Sequence, residues 1–75
     1  MRVRVFLRQP LFTLPGQEHV PTQAAILEGV LGESTSLGAN VQVERCYDER
    51  GRDVASKPCR LVIPAAKIDH VQVLE

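Results

Sequence analysis

Aromatic residues are scarce in this chain. It has no Trp, two Phe and one Tyr among 75 residues, so its core is aliphatic, with Val prominent. Only two Cys are present, too few for a disulfide-built scaffold, and the sequence lacks the CxxC and HxxxH spacings common at zinc sites. Charge of one sign is also missing. Nine basic and nine acidic residues cancel to a formal net charge of zero, so overall charge does not draw the chain to nucleic acid or to an anionic membrane. No apolar run approaches membrane-spanning length, and no membrane partner is expected. The opening "MRVRVFLRQPLF" is basic and partly apolar, but it alternates instead of forming the apolar stretch of a signal peptide. With unpatterned cysteines and no export signal, the expected compartment is the cytoplasm. There is no Gly-rich phosphate loop, Ser-His-Asp order or metal-ligand cluster. The sequence therefore points away from an enzyme, and no cofactor or metal is expected.

The length sets one domain, residues 1–75. A chain of this size buries only about 60% of its unfolded surface, so its core is thin and self-association is a common aid to stability. What is present is alternation. In "RVRVFLR", Val3, Val5 and Leu7 lie on one face and Arg2, Arg4, Phe6 and Arg8 on the other, the period of a strand over residues 1–8. Pro10, Pro15 and Pro21 mark residues 9–22 as a loop, because each removes a ladder donor. "QAAILEGVLGE" reads as a strand bent near Gly29, since Gly29 and Gly32 interrupt any helix. "STSLGAN" is a turn by composition. "VQVERCYDE" alternates again, with Val41, Val43 and Tyr47 expected on one face and Gln42, Glu44, Cys46 and Asp48 on the other. A polar turn centred on Gly51 follows, then the short strand "CRLVI", one tight turn "AAKI", and a last strand "DHVQVLE". Five or six short strands without a helix predict an all-β fold: a small, strongly bent barrel, closed to remove exposed edges.

Residues 24–74 resemble the Sm-like family of small β-barrels, which includes Hfq. The resemblance rests on "ILEGVL" as a Gly-bearing bent strand, on "VQVERCYDE" running into a charged turn, and on "LVIPAAKIDHVQV" as strand, one-turn connector and closing strand. It implies a barrel over residues 23–75, with "RVRVFLR" as an extra N-terminal strand followed by the Pro-containing loop. It also implies assembly into a closed homo-oligomeric ring by pairing the fourth barrel strand of one subunit with the fifth of the next. The edges would be Arg60, Leu61, Val62 and Ile63 on one side, and His70, Val71, Gln72, Val73 and Leu74 on the other. RNA is the ligand the family implies. This chain departs from the family's uridine-holding residues: only Asn40 is available in the turn, and "IPAA" stands where an Arg-Gly pair is usual.

The remaining chemistry-bearing residues are few. Arg2, Arg4 and Arg8 on one strand face could meet phosphate. Lys67, Asp69 and His70 fall within four residues, but a local trio on a strand spreads over two faces, with Asp69 and His70 expected to point oppositely. Lys67, repeated around a ring, would form a basic rim. With Val43 taken as the partner of Leu61, Cys46 and Cys59 fall out of opposition and no disulfide is expected. Candidates for binding RNA or a protein partner are thus Arg2, Arg4, Arg8, Asn40, Lys67 and His70. Two functions follow: a ring-forming protein holding RNA weakly through repeated subunit contacts, or an interaction module with no nucleic-acid role.

Overall fold

The computed structural model describes residues 1–11, 23–33, 35–54 and 57–75. Among these residues six strands form one antiparallel sheet: β1 (Arg2–Leu11), β2 (Ala24–Leu31), β3 (Ala39–Tyr47), β4 (Asp53–Val54), β5 (Cys59–Ile63) and β6 (Ile68–Val73), with one 3-10 turn, Ala65–Lys67, before β6. The order is β4-β3-β2-β1-β6, and β5 pairs with β3. β4 and β5 lie along the same side of β3, against Cys46–Tyr47 and Ala39–Val43 respectively. The fold is all-β, as the alternation predicts. Among the described residues no helix is long and apolar enough to cross a membrane.

The alternation places the core. Val3, Val5, Leu27, Val41, Val43 and Cys46 are fully buried, with Val54 and Ile63 beside them. All share one face of one sheet, and the described residues provide no second layer. Complete burial on a single sheet face requires the sheet to curl over itself. The connection from β5 to β6 demands the same. In a flat sheet these strands would stand about 19 Å apart, four spacings of about 4.8 Å. Only Pro64 and a 3-10 turn join them, closed by the Lys67 N–H donating to the Pro64 carbonyl at 2.9 Å, and such a turn advances only about 2 Å per residue.

Several expectations are corrected. The expected closure into a barrel is not found among the described strands: β6 pairs only with β1 and β5 only with β3, so both keep a free edge. The expected N-terminal strand is present as β1, second from the β6 end of the sheet and paired with β2 and with β6. It continues past residue 8 to Leu11; Pro10 lies where the β2 ladder is interrupted, between Phe6 and Leu11. The rest of the expected loop, 12–22, lies outside the described residues.

Two bulges reverse local alternation. Glu28 pairs with Arg45 but Gly29 with Val43, which makes Glu44 an extra residue on β3. Cys46 therefore turns into the core and Tyr47 out of it, the opposite of strict alternation. Gly29 is required there, since a Cβ would collide with the Gln42 carbonyl of β3. Likewise Phe6 pairs with His70 but Leu7 with Ile68, so Asp69 is the extra residue on β6.

Candidate functional site

Among the described strands the free edges of β5 and β6 are those singled out as assembly edges, and they differ in burial. On β5, Leu61 and Ile63 turn inward, while Arg60 and Val62 face out, Val62 being 49% exposed. β6 is exposed on both faces after Ile68. Val71 and Val73 pair with Val5 and Val3, so they belong to the inner face, yet they stay 39% and 52% exposed. Leu74 adds another exposed apolar side chain at the same end. The ladder direction follows from one bond: Leu74 N–H donates to the Arg2 carbonyl at 2.9 Å. Because successive residues alternate the side to which their N–H and C=O point, Gln72 aims its backbone groups at β1, and Val71 and Val73 aim theirs off the sheet. β6 thus presents unpaired backbone groups and uncovered valines together.

On the arginine face of β1, Arg2 and Arg4 are compensated by carboxylates and Arg8, among the described residues, is not. Glu28, only 8% exposed, accepts from Arg4 Nε at 2.7 Å and lies 3.8 Å from Arg2 Nη2. Arg2 Nη1 reaches Glu44 at 2.6 Å. The hydrogen bond to Glu28 is the main cause that raises the Arg4 guanidinium above its ordinary range. Desolvation opposes it, and the charges of Glu28 and Tyr47 reinforce it. Arg4 also lies 5.5 Å from the centre of the Tyr47 ring. Arg8 spends its Nε–H on the Ile68 carbonyl at 3.1 Å.

Asp69 and His70 do not point oppositely. The bulge at Asp69 brings its Oδ2 to 2.8 Å from His70 Nδ1, and the imidazole stacks on Phe6 with ring centres 4.3 Å apart. Both polar side chains are well exposed. This pairing orients the imidazole on an open surface, and Lys67 makes no ion pair with Asp69. No disulfide joins Cys46 and Cys59. The strand partners are Val43 with Cys59 and Val41 with Leu61, two residues from the expected register and of the same parity. Burial pushes the Cys59 thiol up.

Asn40 lines a hollow of about 350 Å³ with Val30, Gly32, Glu33, Gln42 and Arg60. Sequence reasoning picked out Asn40 and Arg60 separately and passed over Glu33 and Gln42; only the β2-β3-β5 register unites them. Compared with protein-family models, with curated proteins and with solved structures, the chain finds no match.

Proposed function

We propose that this chain is a self-assembling β module whose copies join head to tail through β5 of one and β6 of the next, in the manner of the Sm-like rings it resembles. The observation that carries this reading is the state of β6: inner-face valines left uncovered beside backbone groups that aim off the sheet. Such an edge is a template for another strand unless something blunts it. A second copy offers β5, whose outer edge is free as well and whose Leu61 and Ile63 continue the apolar inner face. A contact between two different edges propagates, and it closes into a ring when the rotation per subunit completes a circle.

Between the two functional readings, the interaction module is the better supported. Phosphate binding draws its affinity from cations that release counterions, and Arg2 and Arg4 already neutralise Glu44 and Glu28. Native mass spectrometry of the protein purified from cells tests the reading. Discrete multimers of the chain are expected; a monomer at tens of micromolar would overturn it. Bound RNA in the same spectrum would restore the nucleic-acid reading.

A further inference from the structure

The hollow on the outer face of the sheet holds two opposite charges that do not meet. It forms because β2, β3 and β5 align Val30, Gln42 and Arg60 in one cross-strand row. The next row pairs Asn40 with Val62 and meets Gly32, which has no side chain to fill it. Arg60 and Glu33 both line the space. Neither forms an ion pair with the other or with any other described residue, and the carboxamides of Asn40 and Gln42 are likewise uncommitted. The result is a guanidinium and a carboxylate beyond ion-pair reach of one another, with two amide groups that can donate or accept and the side chain of Val30 as an apolar wall.

We propose that this hollow binds a compact zwitterion of the free α-amino acid class. The ligand carboxylate takes the Arg60 fork, which suits a planar two-oxygen acceptor. Its ammonium group meets Glu33, the Asn40 and Gln42 amides complete the polar contacts, and a short apolar side chain lies on Val30. An anion alone leaves Glu33 unanswered, and a cation alone leaves Arg60 unanswered. This site is independent of the edge-to-edge assembly, which adds a strand beside Arg60 without covering the outer face.

The test is a titration of the full chain with L-leucine, followed by NMR at the side-chain amide signals of Asn40 and Gln42. Two half-ligands accompany it: 4-methylpentanoate, which lacks the ammonium, and isopentylamine, which lacks the carboxylate. Saturable shifts with leucine are expected in the millimolar range of an open site, with each half-ligand weaker by about tenfold, the loss of one charge-assisted contact. Glu33→Gln should weaken leucine to the level of 4-methylpentanoate while leaving 4-methylpentanoate unchanged; Arg60→Gln should do the reverse, sparing isopentylamine. Shifts that do not saturate, or equal affinity for leucine and its half-ligands, would overturn the proposal.

Discussion

Val3 and Val73 are direct partners across the β1–β6 ladder, and one is fully buried while the other is 52% exposed. Two residues of one type, on one face of one sheet, differ in what lies beyond them. Val3 has β2 on its far side; Val73 has no further strand among the described residues. The exposed valine marks where the apolar face runs on past the last strand the described residues supply, and the proposed assembly completes it with a second copy.

The bulge region is sensitive to its glycine. Gly29→Ala should push β2 from β3, because the new methyl meets backbone at Gln42 and Val43 rather than a yielding side chain. Gly51→Ala meets no atoms but must hold a φ of +79°, a cost of about 1–2 kcal/mol. Thermal unfolding should therefore show a Tm loss of roughly 4–8 °C per kcal/mol for Gly51→Ala and a larger loss for Gly29→Ala. Equal losses would contradict the close approach at the bulge.

The Arg4–Glu28 pair should behave as a buried anion with its partner. Arg4→Met leaves Glu28 facing Arg2 at 3.8 Å as its remaining cation, and removing one member of a buried pair costs more than removing both. In denaturant melts, Arg4→Met is expected to lower the midpoint, and Arg4→Met combined with Glu28→Met to recover part of the loss. An additive double variant would rule out the coupling.

Both cysteines should react with a thiol reagent in the unfolded chain without prior reduction, since no disulfide joins them. In the folded chain Cys46, fully buried, is expected to be protected and Cys59 to react slowly, because burial raises its pKa and thins its thiolate. Folding favours the neutral thiol, so that contribution is intact below the unfolded pKa and is lost as pH rises through the raised folded value. Fast labelling of Cys59 at neutral pH would contradict this.

Much of the sheet is legible in the sequence, and what is not has two causes, inserted residues and cross-strand register. The strands around Val3, Val5, Val41 and Val43 follow from period-two alternation, and the turns at Gly51 and Pro64 from their polar, Gly and Pro composition. The two bulges were missed because strict alternation was carried through them. Their trace is present: the inward residues step by two until Val43 and then by three to Cys46, and Ile68 to Val71 is again a step of three. A step of three in an alternating run is one inserted residue. The compensation of Arg2 and Arg4 could not be read, because it depends on which β2 and β3 carboxylates the register sets beside them. The Glu33–Arg60 hollow was hidden for the same reason, its residues coming from three strands and the segment just after β2.

The most direct measurement compares two proline variants one residue apart, followed by sedimentation and circular dichroism at tens of micromolar. Val73→Pro deletes an N–H that aims off the sheet, which an edge strand tolerates. Gln72→Pro deletes one aimed at β1 and leaves an acceptor there unmet, a cost of about 1–3 kcal/mol. The wild-type chain should sediment as a multimer, Val73→Pro as a folded monomer, and Gln72→Pro should lose stability. A wild-type monomer, or a Val73→Pro variant that assembles as the wild type does, would contradict assembly through the free edge of β6.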